Sequence, residues 1–441
     1  YFRYAPSYNS ENLNTILDWS SWTGNSEGFQ GAIEMCNNNG ACRKLDGGVM
    51  CPSFRATRDE KDSTRGRANT LRLAISGQLG KQAMYGKEMS DTMQLCVSCK
   101  ACKRECPTGV DMAKMKIEYS HLKYQENGLN IKDKLVSYLP KYAPLASNFS
   151  IFFNLRDQIP GLAKISEVLF GFTAKRKLPK WRKDYFKDTE LPNSVDENDT
   201  KIPVILFVDT FNRYYEPENV RSAINVLRTA GYYPFIPESK KNSNPLCCGR
   251  TYLSNGLVDQ ARFEVEKILT TFKPYLKKGI SVVGLEPSCI LSFRDELPSL
   301  IQSQSSDLLK ENSFTFEELL VKNVKNLKFK SLNEKILIHG HCHQKAFDVV
   351  KPIEQILNKV PELKFETINT SCCGMAGAFG YDKSTYDISM KMANDKLFPA
   401  IKKYKANVKV IADGTSCRCQ IKDGLNIQAI HIAKFLDNNI I

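Results

Sequence analysis

The sequence predicts an α + α/β protein: a small helical domain, a helical connector, then two repeated open α/β units. Three observations predict it. Seven of the fifteen cysteines crowd positions 36–106, between stretches whose apolar side chains recur at three- and four-residue intervals. From 196 onward, four apolar runs (VILFVD, SVVGLE, KILIHG and VKVIAD) alternate with amphipathic helical patterns, as parallel sheets require. That second region also repeats its parts in the same order.

The 441 residues accommodate about two or three domains of roughly 150 residues, each able to bury a core of its own. Residues 1–35 read as a connecting segment, polar and aromatic with weak periodicity. It opens without an initiator Met, so the natural polypeptide is expected to extend further upstream. Residues 36–128 form the helical cysteine-rich domain, with helices expected over 63–76 and 111–125. Residues 129–195 carry no cysteine and are basic and aromatic. Pro140, Pro144, Pro160 and Pro179 interrupt short amphipathic pieces there, giving a helical connector. Within it, 164–186 fits either a helix on a membrane surface or a solvated connector, and the connector is the expected one. The first α/β unit spans 196–330, with helices over 216–230 and 258–272; the second spans 331–441. Each unit has a strand (VILFVDTF, then KILIHGHC), a Cys-Cys-Gly (247–249, then 372–374), and a strand leading to Cys289 or Cys417.

Composition narrows the function. An odd cysteine count, the chain length and the lack of a charged, apolar leader argue against a secreted disulfide scaffold. A reducing cytoplasm is expected, with the inner face of the membrane as the alternative. The longest apolar runs, 202–208 and 408–412, fall far below the roughly 20 residues that span a bilayer. A formal charge of +14 asks for an anionic partner: nucleic acid, an anionic membrane surface, or thiolate-sulfide clusters that the sum leaves out. Clusters absorb part of the excess, and a nucleic-acid reading has no recognised motif behind it.

The strongest chemical signal is CVSCKACKRECP. Cys96, Cys99, Cys102 and Cys106 match the C-x2-C-x2-C-x3-C-P run of bacterial ferredoxins, in which three thiolates hold one [4Fe-4S] cubane and the fourth turns to a second cluster. The partner run is CNNNGACRKLDGGVMCP. Cys36, Cys42 and Cys51-Pro52 reproduce the pattern, with Asn39 at the second ligand position and five extra residues before the last cysteine. Crossed ligation then puts Cys51 with Cys96, Cys99 and Cys102 on a first cluster, leaving Cys36, Cys42 and Cys106 on a second. That second cluster is either [3Fe-4S] or uses a non-cysteine fourth ligand. A four-thiolate zinc site is the competing reading, and three closely spaced cysteines followed by Cys-Pro favour iron.

In the α/β repeat, adjacent cysteines are poorly placed for a mutual disulfide but can bind one metal–sulfur centre, with the neighbouring Gly allowing close backbone approach. Cys342, Cys372, Cys373 and Cys417 make a complete set, with Cys419 spare. The first half offers Cys247, Cys248 and Cys289, and ungapped strand alignment places Phe211 where the second half has Cys342. One cluster in the second half and a degenerate or absent one in the first is the expectation; inert buried thiols are the alternative. His339, His341 and His343 (HGHCHQK) would share one side of a continuing strand, opposite Cys342, and either tune the centre or serve only structure.

Taken with GLEPSC, SCCGMAGAFGY and ADGTSC, these motifs occur in an order that resembles the iron–sulfur half of large FAD-linked oxidases acting on D-2-hydroxy acids, such as D-lactate and D-2-hydroxyglutarate dehydrogenases. The likeness covers nearly all of the chain. It implies an electron-transfer module of an oxidoreductase, which carries single electrons from reduced FAD in an upstream domain or partner subunit to a downstream acceptor, a quinone or a redox protein. The flavin domain is not within these residues, so no catalytic acid, base or substrate ligand is assigned. The paired Cys-Cys-Gly units also look like those of heterodisulfide reductases, which leaves a catalytic role on a disulfide or thiol substrate as the alternative.

Overall fold

The computed structural model describes residues 13–22, 27–80, 82–196, 198–239, 244–404 and 408–441; of the expected connecting segment, 1–12 and 23–26 lie outside them. Among the described residues, six α-helices build the cysteine-rich region: α1 (Gly28–Glu34), α2 (Pro52–Thr57), α3 (Thr64–Ile75), α4 (Lys87–Gln94), α5 (Ala101–Glu105) and α6 (Met112–Asn127). The two expected helices are α3 and α6, and their starts follow from capping. The Ser63 hydroxyl accepts from Gly66 N at 2.9 Å, and the Asp111 carboxylate accepts from Lys114 N at 3.0 Å. Buried Glu118 on α6 accepts from Ile16 N, Leu17 N and Trp19 Nε1 at 2.7, 3.2 and 3.0 Å, which fastens the N-terminal segment to the domain.

The connector is α7 (Ile131–Ser137), α8 (Leu139–Asn148), α9 (Ser150–Asn154) and α10 (Leu162–Phe170). Pro140 sits in the first turn of α8, where its missing N–H costs nothing, but Pro144 lies inside α8 and does not end it. Past α10 the chain is tied down: Thr173 N donates to Tyr381 O at 2.8 Å, and buried Arg176 donates to Gln420 Oε1 at 2.7 Å.

Two parallel sheets follow. The first has the order β2-β1-β3-β4, with β1 (Ile202–Phe207), β2 (Tyr232–Phe235), β3 (Ser281–Gly284) and β4 (Ser313–Thr315); the second has the order β6-β5-β7, with β5 (Lys335–Ile338), β6 (Lys364–Thr367) and β7 (Lys409–Ile411). The four apolar runs of the sequence supply β1, β3, β5 and β7. The strands it missed, β2, β4 and β6, all lie at sheet edges. They are short, β2 contains Pro234, and β6 is not fully buried on either face.

Alternation along the central strands assigns their faces. Ile205, Phe207, Val282, Leu337 and Val410 enter one core together with Leu71, Met93 and Met115 of the helical region. Val204, Leu206, Val283, Ile336, Ile338 and Ile411 enter a second core between the sheets and their helices. One apolar core therefore runs from the cysteine-rich helices into both α/β units.

Candidate metal centres

All fifteen cysteines are free thiols. In the helical region their electrostatic neighbours sort them into two adjoining groups. Burial pushes the Cys51 thiol up to about 12, with Cys42 and Cys96 adding repulsion. Burial likewise raises Cys102, which Cys51 and Cys96 also repel, and Cys99, which Cys342, Cys102 and Cys51 repel. Cys36 is raised by burial, then by Cys42 and Cys106. The structure thus brings Cys51 near Cys96, Cys99 and Cys102, and Cys36 near Cys42 and Cys106, with Cys42 also close enough to act on Cys51.

Helix α3 begins at both groups. Thr64 N donates to Cys51 Sγ at 3.2 Å, and Arg65 N donates to Cys42 Sγ at 3.4 Å, so the free amides of one helix start face a sulfur from each group. Glu105 shapes the loop before Cys51 by accepting from Val49 N and Met50 N at 2.7 and 3.0 Å.

In the second α/β unit, Cys342 is held well below the usual thiol range by a hydrogen bond from Cys372, with the His341 imidazole also lowering it. Cys373 is held low by Cys372 and Cys417. The ligand atoms of His339, Cys373 and Cys417 lie within 4.8 Å of one another. Cys342, Cys372, Cys373 and Cys417 therefore converge, while Cys419 turns to Tyr381. In the first unit Cys247, Cys248 and Cys289 also converge, each hydrogen-bonded to the next.

The two Cys-Cys-Gly turns repeat each other in detail. Gly249 N donates to Cys247 Sγ and Gly374 N to Cys372 Sγ, both at 3.4 Å. Both glycines have positive φ, +78° and +85°, and a Cβ on Gly374 would lie 2.4 Å from Ser389 O.

The first strand ends differ in register. His341 caps the short helix Cys342–Ala346, whereas Asp209 caps Thr210–Tyr214, so matching the caps sets Thr210 rather than Phe211 against Cys342. Neither is a thiol. The cap also breaks the expected alternation of the histidines, because β5 stops at Ile338 and 341–343 are already turning into a helix. His341 Nε2 lies 3.9 Å from Cys342 Sγ, His339 Nδ1 meets Thr370 Oγ1 at 3.0 Å, and His343 Nε2 meets Ser98 O at 3.1 Å. Burial holds His339 and His343 below the usual imidazole range. At His341 burial also opposes the charge, but Cys342 outweighs it and raises the ring to about 9.

The His343 contact belongs to an interface that joins the two regions. Ser371 Oγ donates to Val49 O at 2.5 Å, next to the other cysteine loop, and Cys342 is the charge felt most strongly by Cys99 after burial. Lys345 donates to Thr370 O at 2.8 Å and feels the charge of Cys342, Cys372, Cys373 and Cys417. Glu286 accepts from Thr415 N at 2.8 Å and acts on both Cys289 and Cys417. Sequence reasoning missed Thr64, Lys345 and Glu286. A Ser-Thr-Arg-Gly helix start was legible at 63–66, and Glu286 and Lys345 lie inside GLEPSC and HGHCHQK, but neither motif shows that they act on Cys417.

Thiols this buried and mutually repelling cannot ionise together unless a shared cationic core compensates them. Iron–sulfur clusters, which take several thiolates at short range, suit this donor set. A cluster without cysteine, Glu317, Asp413 and His431, does not suit a metal. His431 Nδ1 accepts from Ala433 N at 3.0 Å, so Nε2 keeps its proton and turns it to Leu285 O at 3.2 Å.

Beside Cys96, Cys342 and Cys419 opens a cavity of about 1370 Å³, walled by aromatic side chains that include Tyr142, Phe153, Trp181, Phe211 and Tyr215.

Comparison with known proteins agrees with this chemistry. Residues 32–110 match the 4Fe-4S dicluster domain, and 336–422 match the cysteine-rich domain. The chain is 24% identical to the D-2-hydroxyglutarate dehydrogenase of Pantoea ananatis over 90% of its own length and 42% of that protein's. It is 23% identical to one of the subunits of the anaerobic glycerol-3-phosphate dehydrogenase of Escherichia coli, over 71% of this chain and 78% of the relative. It is 25% identical to lactate utilization protein A of Bacillus subtilis, over 53% and 99% respectively. Fold, thiol groups and matched domains define an iron–sulfur protein with an electron-transfer role. The chain is similar to the iron–sulfur part of D-2-hydroxyglutarate dehydrogenases, and spans about two-fifths of the length of those relatives.

Proposed function

We propose that the chain relays single electrons from a reduced flavin, held by another domain or subunit on the cytoplasmic side, to a quinone or redox-protein acceptor. When bound, iron–sulfur clusters would supply one-electron steps that divide the flavin's two electrons. In this reading Cys51, Cys96, Cys99 and Cys102 hold the first cluster. Cys36, Cys42 and Cys106 hold the second, either as [3Fe-4S] or with a non-cysteine ligand. Cys342, Cys372, Cys373 and Cys417 hold the third.

The observation that carries the proposal is the approach of Cys99 to Cys342 across the interface, where Ser98 O meets His343. Similarity to D-2-hydroxyglutarate dehydrogenases supports a dehydrogenase setting, with D-2-hydroxy acids as the substrate class oxidised by the flavin part. The test is iron and acid-labile sulfide per chain on anaerobically purified protein, with paramagnetic resonance after dithionite reduction. About eleven or twelve irons with interacting reduced clusters are expected; zinc with little sulfide would end the electron-transfer reading.

A second reading, disulfide or thiol reduction at the Cys-Cys-Gly units, is favoured by the convergence of Cys247, Cys248 and Cys289. It requires that substitution of these three abolish turnover of a disulfide, whereas the relay tolerates their loss and requires the cysteines of the helical region and of the second unit.

A further inference from the structure

Ten of the seventeen large apolar side chains that stand exposed among the described residues fall between positions 145 and 170 of the connector. Val168 is 78% exposed, Ile151 70%, Phe152 68% and Leu169 60%. Helix α10, LAKISEVLF, buries none of its side chains. A nine-residue helix gains little from propensity alone, and an uncovered patch of this size is uncommon on a soluble surface.

Positive charge surrounds the patch. Positions 141–187 hold ten Lys and Arg against three Asp and Glu. The three acids are already engaged: Asp157 by Arg156, Asp184 by Arg182, and Glu167 by Ala174 N. Lys164, Lys177, Lys180 and Lys183 are exposed and make no ion pair among the described residues. Protein-docking faces are depleted in lysine, whereas short apolar helices interleaved with lysine and aromatic residues suit the headgroup level of an anionic bilayer. Among the described residues no helix is long and apolar enough to cross a membrane, so these would lie in its plane. The large cavity opens on the same face, where Phe152, Phe153, Ile165 and Phe170 line it.

We propose that the α8–α10 face seats the protein on an anionic lipid surface, with its unpaired lysines at the phosphates and the cavity mouth toward the acyl region. This is a binding event and does not depend on the electron-transfer reading.

The test is flotation of the purified protein with phosphatidylcholine vesicles, with and without phosphatidylglycerol. The protein floats with the anionic vesicles, much less with neutral ones, and added salt weakens the association. The double variant Val168→Asp, Leu169→Asp lowers partitioning about tenfold or more. Phe263→Asp, at a 58% exposed side chain on the helix Val258–Leu276, leaves it unchanged. All three positions are exposed, and circular dichroism verifies that the variants fold. Absence of flotation by folded protein overturns the proposal, as does flotation that the double variant leaves intact. A concentration-dependent dimer abolished by the double variant, without vesicle binding, would give the face to a second copy of the chain and overturn it as well.

Discussion

Asp209 is a buried carboxylate at a helix start. It accepts from Phe211 N, Asn212 N and Asn212 Nδ2 at 3.0, 3.0 and 2.7 Å. Burial nevertheless outweighs these bonds, Glu286 adds repulsion, and the carboxyl is raised to about 6 from its ordinary 3.8. The folded protein therefore keeps a proton through the window from about 4 to 6 that the unfolded chain has lost. Stability falls as pH rises through that window and levels off above it, by an amount on the order of 3 kcal/mol. Asp209→Asn removes this component. Denaturation midpoints from pH 5 to 7.5 are expected to fall in the wild type and to lose that part of their slope in the variant. An unchanged slope would mean that Asp209 stays ionised throughout.

The start of α3 connects an element to the chemistry. Its first two amides face Cys51 and Cys42, and its seating depends on Gly66, where a Cβ would lie 2.1 Å from Glu60 O. In an exposed helix, Gly→Ala stabilises by about 1 kcal/mol, but here the methyl meets a backbone carbonyl that cannot rotate away. Gly66→Ala is therefore expected to destabilise by about 2 kcal/mol or more, measured as a lower denaturation midpoint. It should also raise the reactivity of Cys51 and Cys42 toward a thiol reagent in the metal-free protein, as α3 lifts from the turn at 60–62. A stabilised variant would show that α3 shifts without cost.

At the scale of the whole molecule, the helical region and the α/β units are bound by charge as well as by a shared core. Lys100, nearly fully buried beside Cys99, donates to Asp295 Oδ2 at 2.8 Å and to Glu296, and Lys103 reaches Asp295 Oδ1 at 2.5 Å. Burial works against the Asp295 carboxylate, but Lys100 and Lys103 outweigh it and hold it well below its ordinary range. Breaking such a buried set by removing one partner leaves uncompensated charge, so separating the regions is costly. Calorimetry is expected to show one cooperative transition for the described regions. Two well-separated transitions would mean that core and ion pairs do not couple them.

The sequence by itself determined the parts whose information is local. The ligand-type spacing of Cys96, Cys99, Cys102 and Cys106, the helix starts at 63 and 111, and the apolar runs of β1, β3, β5 and β7 each lie within a few residues of one another, so propensity and spacing express them directly. Strands β2, β4 and β6 escaped because none is a continuous apolar run: β2 carries Pro234, β4 is Ser-Phe-Thr and β6 is Lys-Phe-Glu-Thr, whereas the equally short edge strand β7 sits in VKVIAD. Only the tertiary structure decided that Cys99 faces Cys342, that the amides of Thr64 and Arg65 serve two thiol groups, and that Lys345 and Glu286 act on cysteines far away in the chain. It also decided that the connector's apolar side chains remain uncovered. Distances between residues hundreds of positions apart arise from how the helical region and the two sheets close around one core, and no local pattern encodes that closure.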